Sequence, residues 1–175
     1  LLDLSLRTGL AVGERYKNVI VGMDSRTSGP AMKHAVCAGI LAAGGTCADA
    51  GIAPTPTIAL ATKNFDAGVM LTASHNPPEY NGLKLLNPDG SSFDTPQQRY
   101  IEEALNDPSG PVIDWKVLHE GTLFPSAMED HISRIMQDIT AKPGLKVVID
   151  AAGGAASEIT PELFRRLGCD VVKIH

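Results

Sequence analysis

Hydrophobic and polar positions alternate along the chain between short apolar runs and longer stretches of helical period. Leu2, Leu6 and Leu10 recur four apart, which predicts a helix over residues 2–12 with these leucines on one face. Residues 19–24, Val-Ile-Val-Gly-Met-Asp, form an unbroken apolar run closed by a carboxylate and predict a buried strand. A polar loop from Ser25 to Pro30 follows. Ser28 or Gly29 is placed to cap a helix with Pro30 in its first turn. That helix reaches about Ala43, with Met32, Val36, Ile40 and Ala43 on one face, and Gly44-Gly45 ends it because glycine takes the left-handed cap conformation at little cost. Thr46 to Ala50 predicts a strand, Gly51 to Pro56 a loop, and Thr57 to Lys63 a short helix.

Val69 to Leu71 predicts another buried strand. It delivers Thr72, Ser74, His75 and Asn76 into a loop that Pro77 and Pro78 keep out of regular structure. Asn81-Gly82 reads as a turn using positive φ, after which Leu83 to Leu86 is extended. Pro88-Asp89-Gly90 predicts a hairpin between residues 83–87 and 91–93. Thr95 is placed to cap a helix over Pro96 to Leu105. The pattern weakens from Asn106 to Pro125, where loop and short extended pieces are expected. Ser126 opens a helix carrying Met128, Ile132, Ile135, Met136 and Ile139 on one face, and Lys142-Pro143-Gly144 breaks it. The remainder, a strand at 146–150, a loop at 151–155, a helix at 157–167 and a strand at 169–174, reads as one βαβ unit with buried parallel strands. So short a unit cannot bury a core alone. The pattern therefore divides the chain into residues 1–141 and 142–175, and the second piece predicts exposed apolar surface and self-association.

Composition narrows the function classes. Apolar residues are 43% of the chain, enough for a core, while the net charge is −5 with no basic block. Nucleic acid and anionic membrane surfaces are therefore not expected partners. The longest apolar run is too short to span a bilayer, and no signal peptide is visible. Three cysteines, none in a CxxC pair, fit a reducing, cytoplasmic setting. Cys37 falls in an apolar helical pattern and reads as core.

The candidate chemistry gathers at residues 69–84. Ser74 reads either as a nucleophilic or phosphate-carrying serine or as a polar strand-end cap. Neighbouring Ser and His side chains point apart, and no G-x-S-x-G elbow surrounds Ser74, so acyl transfer is disfavoured. Arg26 follows one predicted strand as Ser74 follows another, and in open α/β sheets ligands collect at the carboxyl ends of strands. Arg26 then either forks onto a phosphate or pairs with Asp24 and braces the loop. Lys84 either neutralises a phosphate or is a solvated strand lysine. The turn at 150–155 lacks G-x-G-x-x-G and reads as structural. The histidines show no metal-ligand spacing.

At Thr72-Ala73-Ser74-His75-Asn76-Pro77 the sequence resembles the α-D-phosphohexomutases, the phosphomannomutase/phosphoglucomutase family. Residues 22–30, Pro54 to Thr57, Glu79 to Lys84 and Lys146 to Gly154 are similar to that family in place. The resemblance implies an α/β fold with a three-layer mixed sheet flanked by helices, followed by the βαβ start of a second, similar domain. It implies that Ser74 carries a phosphoryl group to and from a hexose phosphate through a hexose 1,6-bisphosphate, with His75 and Lys84 as further catalytic residues. Arg26 and Asn76 would bind substrate or phosphate, and Mg²⁺ would be ligated through the Ser74 phosphate. The family's D-G-D-G-D-R metal loop has no counterpart here. The resemblance thus implies part of a longer enzyme, inactive by itself. The alternatives are a non-catalytic α/β module that binds a sugar phosphate or a protein, and, more weakly, a serine hydrolase.

Overall fold

The computed structural model describes residues 1–107, 115–139 and 144–175. Helix α1 (Leu2–Arg15) precedes strand β1 (Asn18–Met23), helix α2 (Gly29–Ala42) and strand β2 (Thr46–Ile52). Helix α3 (Thr55–Ala61) leads through a 3-10 turn into strand β3 (Ala67–Leu71), which pairs with β4 (Leu83–Leu86). Then come α4 (Thr95–Asn106), a short β5 (Thr122–Leu123), α5 (Ala127–Asp138), and the unit β6 (Lys146–Asp150), α6 (Ile159–Arg166) and β7 (Asp170–Ile174).

The first five strands form one sheet in the order β4-β3-β1-β2-β5. All neighbours in it are parallel except β4, which runs antiparallel to β3. Alternate side chains of each strand feed opposite cores, as the period of two requires. Val19, Val21, Val69 and Leu71 pack under α1, α2 and α4 with Val12, Met32, Val36, Ile40 and Ile101. Ile20 and Met70 face the other way, onto Ile58 of α3 and Ala127 of α5. The expected three-layer mixed sheet flanked by helices is therefore present. β6 and β7 form a separate parallel pair, joined by α6.

The chain leaves β1 for β2 on one side and returns from β2 to β3 on the other. The carboxyl ends of β1 and β3 thus lie side by side where the strand order reverses, with Met23 opposite Leu71. Crevices open at such switch points.

Several local expectations need correction or refinement. The leucines of α1 do not face the core: Leu2 and Leu6 are 52% and 39% exposed, and the helix buries Ser5, Thr8, Gly9, Val12 and Gly13 instead. A Cβ on Gly9 would lie 2.2 Å from the Val36 carbonyl oxygen, and one on Gly39 would lie 2.2 Å from that of Leu6. Two helix backbones approach that closely only where side chains are missing. The cap of α4 is Asp94, not Thr95: its carboxylate accepts from the Gln97 N–H while the Gln97 side chain accepts from the Asp94 N–H, both at 2.9 Å. The short helix starts at Thr55, two residues earlier than expected, with Pro56 in its first turn. No turn forms at Asn81-Gly82, and neither residue has positive φ; the turn lies just before, where the Tyr80 N–H donates to Pro77 O, and the Asn81 side chain accepts from the Gly82 N–H at 2.9 Å. Cys37 is only half-buried, and the core thiol is Cys47, whose Sγ lies 2.9 Å from that of Cys37. Of the expected helix break, Lys142 and Pro143 lie outside the described residues, as does the 141/142 division. So does part of the expected loop between residues 106 and 125.

Candidate functional site

The site begins with a burial problem. β1 ends at Met23, and the next residue is Asp24, a carboxylate at the mouth of an apolar strand; such a group needs partners. It finds three. Its Oδ1 accepts from the Arg26 N–H at 3.1 Å, and its Oδ2 accepts from Arg26 Nε at 3.1 Å and from Thr72 Oγ1 at 2.7 Å. Thr72 stands just past β3, so this carboxylate ties the two strand ends together. Thr72 Oγ1 in turn accepts from the Ser74 N–H at 2.9 Å, a short-range turn that Ser and Thr side chains favour.

Ser74 sits at φ 55°, in the left-handed region. A residue with a Cβ is uncommon there, and such positions concentrate at functional sites. The loop beyond is two tight turns: the Asn76 N–H donates to Ala73 O at 3.0 Å, and the Tyr80 N–H to Pro77 O at 3.1 Å. The turns aim peptide carbonyls inward at the Arg26 guanidinium. Nη1 donates to Pro77 O at 2.7 Å and Tyr80 O at 2.9 Å, and Nη2 donates to Ser74 O and Asn76 O, each at 2.8 Å. Ser28, on the Arg26 loop, adds a last tie by accepting from Asn81 Nδ2 at 2.9 Å.

A cleft of about 480 Å³ opens beside this loop. Ser74, Asn76, Arg26 and Thr72 line it from the two strand-end loops, Pro54 and Thr55 from the start of α3, and Gly154 and Ala155 from the turn after β6. The expected tight turn there is real, with Ala152 at φ 49° and Gly153 at 64°, yet its edge faces the same cleft.

The five residues singled out from the sequence are not equally placed. Ser74, Asn76 and Arg26 line the cleft. His75 is exposed, with Nδ1 3.4 Å from Ser74 Oγ, a long contact between neighbours. Lys84 is exposed on β4 opposite Met70, and it borders a separate depression with Gln98 and Glu102. The side chain of Asn76 has no bond among the described residues; its carbonyl is what Arg26 uses. Asp24 was expected only as the alternative partner of Arg26, a pairing the structure shows, and Thr72 only as a loop residue. Both left a signal: a lone carboxylate ending an apolar strand two residues before an arginine, and a threonine two residues before the serine.

A magnesium ion has little to hold it here. No three His, Cys, Asp or Glu side chains gather among the described residues. Asp24 is the single acidic group in the described cleft lining, and both its oxygens are occupied. The residues present fit at most one metal ligand, an oxygen on Ser74 once phosphorylated. No helix among the described residues is long and apolar enough to cross a membrane.

Residues 3–110 match the family model described as "Phosphoglucomutase/phosphomannomutase, alpha/beta/alpha domain I". Over 173 residues the chain is 40% identical to a "Probable phosphoglucosamine mutase" of Methanococcoides burtonii, covering 99% of this chain and 40% of that protein. It is 37% identical over 172 residues to the phosphoglucosamine mutase of Methanocaldococcus jannaschii. A solved phosphoglucomutase/phosphomannomutase family protein from Burkholderia thailandensis superposes with a TM-score of 0.80 at 29% identity, again over 99% of this chain and 40% of its own. A Thermus thermophilus structure, TM-score 0.83 at 24% identity, shares the fold. The chain spans about two fifths of the length of the relatives it matches. By its matched domain and its relatives along nearly its whole length, the chain belongs to the phosphoglucomutase/phosphomannomutase family.

Proposed function

We propose that this chain is the phosphoserine-bearing part of a phosphohexomutase that interconverts hexose 1-phosphate and hexose 6-phosphate. The observation that carries the proposal is Ser74 itself: a serine in left-handed backbone at the edge of a cleft, where two parallel strands end side by side. In this reading phospho-Ser74 gives its phosphoryl group to the free hydroxyl of a hexose monophosphate. The new bond joins that hydroxyl oxygen to phosphorus, and the bond to Ser74 Oγ breaks. The proton lost by the sugar hydroxyl ends on Ser74 Oγ. The hexose 1,6-bisphosphate then turns over, and Ser74 takes the other phosphate by the reverse step.

His75 stands beside the reacting oxygen, and Lys84, exposed on β4 outside the cleft lining, is assigned only long-range neutralisation of phosphate charge. Asn76 shapes the loop and offers its side chain to the substrate. Phosphoserine carries about −1.5 to −2 charges, and Mg²⁺ bound through its phosphate would offset that charge during transfer. Names of the relatives favour an amino-sugar phosphate as substrate. We assign residues 1–141 to the first domain and 142–175 to the start of a second; by themselves they are expected not to turn over. A non-catalytic binding module draws no support from the relatives, which are named as mutases.

The test is turnover by the longest natural form of the protein. With Mg²⁺ and a trace of hexose bisphosphate, it should interconvert glucosamine or hexose 1- and 6-phosphates, and Ser74→Ala should abolish this. Turnover unchanged in Ser74→Ala would sink the proposal. Release of inorganic phosphate without isomer formation would point to hydrolysis instead.

A further inference from the structure

We infer that Arg26 is a positioning residue: its guanidinium holds Ser74 in the reactive backbone conformation and does not bind substrate phosphate. The inference rests on the proposed phosphoryl role of Ser74, and its grounds are geometric. A guanidinium has five N–H donors. Here five bonds account for them: Nε to Asp24, Nη1 to the carbonyls of Pro77 and Tyr80, Nη2 to those of Ser74 and Asn76. An incoming phosphate would have to displace carbonyls whose loop would then lose its shape. The positive charge is also answered already, by the Asp24 carboxylate at 3.1 Å, which weakens its pull on a second anion.

Two of the bonds in this network meet at one residue, Ser74, for a physical reason. Left-handed backbone costs a residue with a Cβ on the order of 1 kcal/mol, so it persists only where its surroundings impose it. Both sides of Ser74 are imposed. Its N–H is held by Thr72 Oγ1 and its C=O by Arg26 Nη2, and both holders are fixed on the same carboxylate, Asp24. Ser74 is thus set by a clasp anchored at the end of β1, some fifty residues away in sequence. Lysine cannot replace it: a compact ammonium with three donors cannot span four carbonyls and a carboxylate in one plane.

The test compares Arg26→Lys and Arg26→Ala with the wild type in the longest natural form of the protein. Amide hydrogen exchange is read at Ser74, Asn76 and Tyr80 against the strand amides of β1 and β3. Kinetics are read as kcat and KM separately. The clasp predicts loop amides exchanging at least ~10-fold faster in both variants with strand amides unchanged. It also predicts kcat lower by ~100-fold, as for a misplaced reacting group, with KM within about threefold. Lysine should fail as alanine does. Direct phosphate binding predicts the opposite: loop protection unchanged, a raised KM, and substantial rescue by lysine. That result would overturn the inference. If the wild type shows no mutase activity, the proposed function fails, and the exchange arm alone still decides whether Arg26 holds the loop. Should Arg26→Ala fail to fold, Arg26→Lys carries the comparison.

Discussion

Among the described residues, two of the loops that follow a parallel strand contain a non-glycine residue in left-handed backbone: Ser74 after β3, at φ 55°, and Ala152 after β6, at φ 49°. They are held in different ways. The Ala152 turn is built from its own neighbours. The Ala152 N–H donates to Asp150 Oδ1 at 2.8 Å, the Gly154 N–H to Ala151 O at 2.8 Å, and Ser157 Oγ to Gly154 O at 2.7 Å. Its one distant tie among the described residues is an exposed 3.5 Å pairing of His175 with Asp150. The Ser74 loop is gripped by Arg26 through four carbonyls, across about fifty residues of sequence. Local bonds are enough to make a turn. Bonds from a distant residue are needed where one atom must stand in a fixed place relative to the rest of the molecule, and in the proposed reaction Ser74 Oγ is such an atom.

The comparison can be broken at the clasp. Asp24→Ala removes the acceptor of three bonds at once and frees both Arg26 and Thr72. We expect phosphoryl transfer to Ser74 to slow by about 100-fold, the scale of a small misplacement of a reacting group. A rapid-quench time course of Ser74 phosphorylation checks it, and a loss below about threefold would show that the loop holds itself. Thr72→Val is milder. It deletes two hydrogen bonds worth together about 1.5 kcal/mol, or roughly 10-fold in the same rate.

The other loop should behave differently. A Cβ added at Gly153 meets no atom within 4 Å, so only its φ of 64° matters. Gly153→Ala should cost about 1–2 kcal/mol of stability by denaturant unfolding, with the rate of Ser74 phosphorylation unchanged. A rate that fell with it would mean that the two loops are coupled across the cleft.

The smallest effect lies away from both loops. His131 of α5 meets Thr57 Oγ1 at 2.8 Å, and burial holds its pKa below the ordinary value. The folded protein therefore binds this proton less readily than the unfolded chain. The resulting stability is present above the unfolded value, near 6.5, and is lost as pH falls through the folded one. Melting temperature should drop between pH 7 and 5, less so in His131→Leu, while Ser74 phosphorylation at pH 7 is untouched.

How much of this was legible in the sequence follows from what each signal measures. β1, β3 and the buried face of α2 were readable because buried strands are unbroken apolar runs and a one-sided helix repeats every 3.6 residues. The packing face of α1 was not. Hydropathy weighs the side chains that are present, and α1 meets α2 through those that are absent, at Gly9, Gly13 and Gly39. The cap of α4 was one residue off because Asp94 and Thr95 are both good caps, and Gln97 three residues on selects Asp94. Ser74 stood out by its motif. Asp24 and Thr72 did not, because what they do depends on two strand ends being side by side, and that adjacency is set by the crossing from β2 to β3.

The same limit applies to Arg26. Its residue type suits a phosphate and a cluster of carbonyls equally well, and the choice is visible only once the loop has folded around it. The β6-α6-β7 unit shows where apolar pattern alone misleads. Its strands read as buried on both faces, but Val148 is 63% exposed and Val172 40%.

The most direct measurement is the site and stoichiometry of phosphate after a brief incubation of the longest natural form with a hexose 1,6-bisphosphate and Mg²⁺. Intact mass gives the number of phosphates, and peptide mapping gives the residue. The account predicts one phosphate per chain, on Ser74, removed when excess hexose monophosphate is added and absent in Ser74→Ala. No phosphate, or phosphate on another residue with Ser74 unmodified, would contradict it.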